Sequence, residues 1–111
     1  MDYFPIFLNI RDQACLVVGG GDVAARKAGL LAKAGAKITV VSPQLGPELA
    51  EELAHGRMQQ LQQAFQPQHL DQVVLAIAAT DNEAVNREVA DAARQRKLPV
   101  NVVDQPALCS F

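Results

Sequence analysis

The sequence predicts an α/β domain built on a parallel sheet of about five strands. Short apolar runs alternate with stretches of helical spacing along the 111-residue chain, and this alternation is typical of strand–helix–strand units. With right-handed crossovers, the expected strand order is 3-2-1-4-5, with helices on both faces. Three consecutive glycines follow the first apolar run directly, which indicates a Rossmann-type sheet that binds its ligand at the carboxyl ends of the strands.

Five segments are predicted as strands. Four of them are rich in Val, Ile, Leu and Ala, which favours strands buried on both faces of a sheet. The remaining segment shows only a weak alternation and is expected at an edge. A further short edge segment is expected at residues 3–9, ahead of the first core strand. In chain order, the five strands are expected at Ala14–Val18, Lys37–Val41, 57–64, 73–78 and 100–103.

Three helices and one short helical turn are expected between these strands. Gly35 is a suitable stop for the first helix, and Asp81 or Asn82 is placed to cap the third. The third helix ends in a cluster of Arg and Lys residues, which favour the negative end of a helix dipole. The helices are expected at 23–34, Pro47–Ala54 and 83–96, and the turn at Pro67–Leu70.

The composition argues against several classes of function. The net charge is only −2, so the chain lacks the basic face that binds nucleic acid or an anionic membrane. No apolar run reaches the ~20 residues that span a bilayer, and the first residues lack the basic segment of a signal peptide. We therefore expect a cytoplasmic protein. Cys15 and Cys109 fit neither a disulfide scaffold nor a zinc motif, so both are interpreted as structural and no metal site is expected.

The segment from Gly19 to Ala24 fits the G-x-G-x-x-A form of the dinucleotide-binding fingerprint. Gly19 permits a tight turn out of the strand. Gly21 lacks a Cβ, so a pyrophosphate can approach its backbone. The free N–H groups of Asp22 and Val23 then face the phosphates at the start of the helix. We interpret this loop as a dinucleotide site, and a purely structural turn is the alternative.

The residues after the second strand bear on the choice of dinucleotide. An acid that bonds the ribose hydroxyls usually stands there, whereas this chain has Ser42, Pro43 and Gln44. The hydroxyl of Ser42 or the amide of Gln44 is able to bond the ribose instead. No Arg or Lys is adjacent to meet a 2′-phosphate, so the sequence favours NAD over NADP.

Two further residues follow later strands and are expected at the same end of the sheet. Thr80 is placed to donate to the cofactor or, together with Asp81, to cap the next helix. Asp104 follows the last strand, and a partly shielded carboxylate there would serve as a general base near a nicotinamide. The simpler alternative for Asp104 is a turn-forming aspartate before Pro106.

Motifs spread over the whole chain resemble the N-terminal domain of the siroheme synthase family. That family's domain is a precorrin-2 dehydrogenase and sirohydrochlorin ferrochelatase, so the resemblance implies NAD⁺ as hydride acceptor and Fe²⁺ as a substrate. It also implies an NAD-binding fragment over 1–111, without the family's dimerisation and helical regions, and a homodimer for the full-length protein. The motifs are Tyr3-Phe4-Pro5-Ile6-Phe7, the run from Leu16 to Lys27, the run from Ile77 to Asn82, the run from Val100 to Asp104, and Leu108-Cys109-Ser110-Phe111.

The resemblance also assigns roles to individual residues. By position in the family's motifs, Asp22 and Val23 contact NAD in the glycine loop, and Pro43 and Gln44 contact it at the end of the second strand. Asp104 matches the aspartate that acts as base in dehydrogenation and assists chelation. A different class of function remains open: a non-catalytic regulatory module that senses NAD(H), for which Asp104 would have no chemical task.

Overall fold

Five parallel strands form the sheet of this protein in a computed structural model that describes residues 3–56 and 58–111. Their order across the sheet is 3-2-1-4-5, so the predicted fold class and strand order are confirmed. Each strand pairs in parallel with its neighbours. The strands are β1 (Ala14–Val18), β2 (Lys37–Val41), β3 (Met58–Leu61), β4 (Leu75–Ala78) and β5 (Val100–Val102).

The helices lie between the strands as the spacing predicted. The helix ends differ from the prediction by one residue at most, and the short turn at Pro67–Leu70 is a 3₁₀ helix. A second 3₁₀ turn at Pro106–Leu108 follows the last strand and was not predicted. The helices are α1 (Asp22–Lys33), α2 (Pro47–Ala54) and α3 (Glu83–Gln95).

Helices cover both faces of the sheet, and two separate apolar cores result. Because side chains alternate along a strand, Cys15 and Val17 of β1 face α1 and α2 in one core. Leu16 and Val18 face α3 in the other. Both cores reach the carboxyl ends of the strands, so the loops at that edge start from rigid, buried positions.

The two expected edge segments have different outcomes. The strand expected at 57–64 is observed as the shorter β3, which pairs with β2, and Arg57 lies outside the described residues. The prediction of an edge segment at 3–9 is wrong, because no strand forms there. Its large apolar side chains are exposed, with Phe4 at 86% and Phe7 at 105%. Within the described ranges, no helix is both long and apolar enough to cross a membrane.

Candidate functional site

The loops that carry the predicted site residues meet at one edge of the sheet. Since all five strands are parallel, their carboxyl ends lie on the same side. The neighbouring strands β2, β1, β4 and β5 are followed there by the segments 42–46, 19–22, 79–82 and 103–105. The fold therefore brings every predicted site residue to this edge, on four adjacent loops and, for Val23, in the first turn of α1.

Gly19 makes the turn out of β1, as its place in the motif predicted. Its φ of +140° lies in a region that side chains rarely adopt. A Cβ at this position would overlap the carbonyl group of Ala79 at the end of β4, with the carbonyl carbon only 2.9 Å away. A side chain is thus excluded both by the backbone conformation and by the neighbouring strand.

Gly21 is the open position of the loop. A Cβ built on it would meet nothing within 4 Å, and its φ of −94° is one that any residue can adopt. Neither backbone strain nor packing requires glycine here. The space above Gly21 would let a ligand approach the backbone closely. The predicted pyrophosphate is consistent with this open space.

The first turn of α1 presents backbone donors without a side-chain cap. Gly21 is its N-cap, and among residues 3–56 and 58–111 no side chain accepts from the first N–H groups, which include those of Asp22 and Val23. These groups are the partly positive end of the helix dipole. An uncapped helix start beside an open glycine fits a diphosphate, so the residues present fit a dinucleotide.

Gly20 joins the glycine loop to the loop after β2. A Cβ on Gly20 would overlap the carbonyl oxygen of Gln44 and lie 2.5 Å from Ser42 Oγ. The carbonyl of Gly20 accepts from the N–H of Gly46 at 2.7 Å. The two loops therefore pack backbone against backbone, and this contact sets the distance between the predicted phosphate and ribose positions.

The three residues predicted near the ribose differ in how free they are. Ser42 is buried, and its hydroxyl donates to the carbonyl oxygen of Gln44, so a bond to a ribose would compete with this contact. Pro43 and Gln44 are exposed. Gln44 offers the freer side chain, and the carbonyl of Pro43 accepts from Gln62 Nε2 at 3.3 Å.

Thr80 is tied into its own loop at the end of β4. Its Oγ1 lies 2.6 Å from Asn86 Oδ1 and accepts from the N–H of Asn82 at 3.1 Å. The cap of α3 is Asn82, whose Oδ1 accepts from the N–H groups of Ala84 and Val85. The predicted cap at 81–82 is thus confirmed at Asn82, while Thr80 orders the loop that leads to it.

Asp104 stands at the corner after β5. Its φ of +62° is left-handed, a conformation that aspartate tolerates better than most residues. The turn-forming role is therefore real and is compatible with a chemical one. Asp104 is exposed, whereas a partly shielded carboxylate was expected, so that expectation is wrong for this domain. The reason is local: Gln105 leads into the 3₁₀ turn at Pro106–Leu108, which contacts β5 and does not cover the carboxylate.

Sequence reasoning missed the residues that join one loop to another. Gly20 was given no role, although it is the glycine that packs against Gln44. Asn86 is 4% exposed on the sheet-facing side of α3 and contacts Thr80 and Gln105. An asparagine among the apolar positions of an amphipathic helix was the available signal. In the described part of the chain, no group of three or more His, Cys, Asp or Glu side chains is placed to hold a metal ion.

Known proteins are similar to this chain in sequence. Siroheme synthase of Methylobacillus flagellatus is 57% identical over 111 residues, and that of Thioalkalivibrio sulfidiphilus is 54% identical. All of this chain is covered, against 24% and 23% of those proteins, so the chain spans about a quarter of the length of these relatives. The resemblance noted from the motifs is thereby confirmed.

A solved structure described as "SirC, precorrin-2 dehydrogenase" superposes with a TM-score of 0.78 at 28% identity. The match covers 93% of this chain and 50% of that one. A family model with the description "Putative NAD(P)-binding" matches residues 6–111, a range that includes the glycine loop and all the other predicted site residues. By this match the chain belongs to that NAD(P)-binding family.

Proposed function

We propose that this chain is the NAD-binding part of a protein that dehydrogenates precorrin-2, as the name of one relative suggests. The resemblance to the siroheme synthase family further implies that the protein inserts iron into the product, sirohydrochlorin. The observation that carries the proposal is the pair formed by the open Gly21 and the uncapped start of α1. An anion-binding helix start at the switch point of a parallel sheet is the usual place for a dinucleotide pyrophosphate.

In this proposal, the glycine loop and the loop after β2 hold the two halves of the dinucleotide's adenosine diphosphate end. Gly19 makes the turn, Gly21 gives access to the backbone, and the N–H groups of Asp22 and Val23 bind the phosphates. Ser42, Pro43 and Gln44 line the ribose side. Their segment carries no cationic side chain for a 2′-phosphate, which supports NAD over NADP.

Thr80 and Asp104 lie at the other end of the proposed site. When bound, the nicotinamide supplies a hydride acceptor. With NAD⁺ as the acceptor of the hydride from precorrin-2, the Asp104 carboxylate would take up the accompanying proton as general base. Thr80 orders the end of β4, and its proposed contact with the cofactor would compete with its bonds to Asn86 and Asn82.

The remaining parts of the proposal concern the second substrate, the oligomeric state and the cellular location. Fe²⁺ enters as a substrate, and insertion into sirohydrochlorin displaces two pyrrole N–H protons, for which the same carboxylate is an acceptor. We expect a homodimer for the full-length protein, no nucleic acid or membrane partner, and a cytoplasmic location. We also expect this chain alone to bind NAD with little turnover, because its relatives are about four times as long.

The proposal is tested in two steps. Calorimetric titration of this chain with NAD⁺ should give saturable binding, and a flat titration at millimolar NAD⁺ would reject the proposal. In a protein that carries this domain with the rest of the length found in its relatives, Asp104→Asn should abolish NADH formation from precorrin-2 while NAD⁺ affinity stays unchanged. An Asp104→Asn variant that still forms NADH would exclude Asp104 as the base. Asp81→Asn, which removes an exposed carboxylate from the neighbouring loop, is the matched control.

A further inference from the structure

The tip of β4 is held by one buried amide. Asn86 Oδ1 lies 2.6 Å from Thr80 Oγ1 and accepts from the N–H of Thr80 at 3.3 Å. Asn86 Nδ2 donates to the carbonyl of Thr80 at 3.0 Å. A buried polar side chain is costly unless its groups are paired, and here Asn86 meets the backbone donor, the backbone acceptor and the hydroxyl of a single residue.

The same amide reaches the tip of β5. Asn86 Nδ2 also donates to Gln105 Oε1 at 3.3 Å, and Gln105 Nε2 donates to Glu83 Oε1 at 3.1 Å. Both polar ends of the Gln105 side chain are thus engaged from α3. Because Gln105 directly follows Asp104, this chain of amides connects α3 and the end of β4 to the residue beside the proposed base.

Hydrogen bonds around the Asp104 corner hold its neighbours. The carbonyl of Gln105 accepts from the N–H of Leu108 at 3.0 Å and from Cys109 Sγ at 3.5 Å. The N–H of Val103 donates to Ala78 at 3.0 Å and the N–H of Gln105 donates to Val102 at 3.2 Å. In the described residues, Asp104 itself has no hydrogen bond from its N–H or its carboxylate. An exposed side chain on a left-handed corner therefore depends on its neighbours for a fixed position.

We propose that Asn86 and Gln105 are positioning residues, which fix Asp104 relative to Thr80 and so relative to the nicotinamide end of the site. This inference rests on the proposed function. A general base has to lie within about 3 Å of the proton that it removes, and a displacement of about 1 Å can cost about 100-fold in rate. The amide bridge supplies that precision without touching substrate.

Gln105 is the residue to substitute, because Asn86→Ala would remove every hydrogen bond of a buried amide and destabilise the domain. Gln105→Met keeps the length of the side chain and removes its polar atoms. The exchanged pair, Glu83→Gln with Gln105→Glu, restores the bridge: the new amide donates to the new carboxylate, which still accepts from Asn86 Nδ2. Glu88→Gln removes an exposed carboxylate from the same helix and is the control.

Four quantities are measured in the full-length protein: amide hydrogen exchange at 103–105, NAD⁺ affinity, and the kcat and KM of precorrin-2 dehydrogenation. Gln105→Met should lower kcat about tenfold and speed exchange at the hydrogen-bonded amides of Val103 and Gln105, while NAD⁺ affinity and KM stay within about twofold because the glycine loop is untouched. The exchanged pair should recover kcat and exchange protection to near the original values.

Two results would overturn the inference. One is a Gln105→Met variant with unchanged kcat and unchanged exchange at the amides of Val103 and Gln105. The other is an exchanged pair that recovers thermal stability but not kcat, which would make the bridge merely structural. Failure of the proposed function is distinguishable, because the unaltered protein would then bind no NAD⁺, while exchange at 103–105 would still report whether the bridge orders the corner.

Discussion

Two helices, α1 and α3, begin at the same edge of the sheet, and their first turns are finished differently. In α3, Asn82 Oδ1 accepts from the N–H groups of Ala84 and Val85 at 3.0 and 3.2 Å. The first turn of α1 follows Gly21 and receives no such cap from the described residues. A side chain of the protein therefore caps the start of α3, whereas the start of α1 is uncapped, which suits the proposed anion.

The loops beside the two helices also differ in whether backbone or side-chain atoms join them. Beside α1, the glycine loop meets the loop after β2 through backbone atoms, with Gly20 against Gln44 and Gly46. Beside α3, the tips of β4 and β5 are joined through side-chain amides, with Asn86 between Thr80 and Gln105. The first arrangement allows close approach to a phosphate, and the second allows fine placement of a functional group.

The largest expected effect is on the backbone contact beside α1. In Gly20→Ala, the new methyl group would overlap the carbonyl oxygen of Gln44, so the two loops must separate. We expect the free energy of unfolding to fall by about 3 kcal/mol, the scale of overpacking at a rigid site. Urea denaturation measures this, and a loss below about 0.5 kcal/mol would show that the loops are not in rigid contact.

A smaller effect is expected at the capped helix. Asn82→Ala removes the acceptor for two N–H groups of α3, and a lost N-cap costs about 1 kcal/mol. In this variant both α1 and α3 begin without a side-chain cap, so the variant tests directly what the cap contributes. Thermal unfolding followed by circular dichroism gives the change, with Asn82→Ser as a control that keeps a capping oxygen and should lose little.

The smallest expected effect is a loss of stability at high pH, caused by Cys15 in the core beneath α1. Burial raises the pKa of the Cys15 thiol from 9.0 to about 11. The Cys15 thiol therefore ionises near pH 9 in the unfolded chain but only near pH 11 in the folded chain. The stability that the buried neutral thiol contributes is complete below pH 9 and is lost as the pH rises towards 11.

Unfolding curves measured between pH 7 and pH 11 check this dependence on Cys15. Cys15→Val should show a flatter decline above pH 9 than the unaltered chain. The same decline in both proteins would mean that another group is responsible.

The sequence was sufficient for features that depend on neighbours along the chain. β1 and β2 were predicted at their observed bounds, because continuous β-branched and apolar runs need only local pattern to be recognised. The glycine motif was recognised for the same reason, since a strand, a turn and a helix start follow one another directly. Strand order followed from the general handedness of crossovers.

Contacts between distant residues were beyond that reasoning. Gly20 and Gln44 are far apart in sequence, as are Asn86 and Gln105, and each pair meets only once the sheet is assembled. The segment 3–9 shows the opposite failure, because its apolar residues favoured a strand while its side chains are exposed in the fold. The exposure of Asp104 likewise depends on what packs around it.

The most direct test of the account is a single methyl group at Gly21. Its Cβ would meet nothing within 4 Å, so Gly21→Ala should lower the free energy of unfolding by no more than about 1 kcal/mol, the usual difference between glycine and alanine at an N-cap. The methyl group would occupy the space assigned to the pyrophosphate, and we expect calorimetry to show NAD⁺ binding weakened at least tenfold, about 1.4 kcal/mol. A Gly21→Ala protein that binds NAD⁺ as tightly as the unaltered chain would contradict the assignment of this loop.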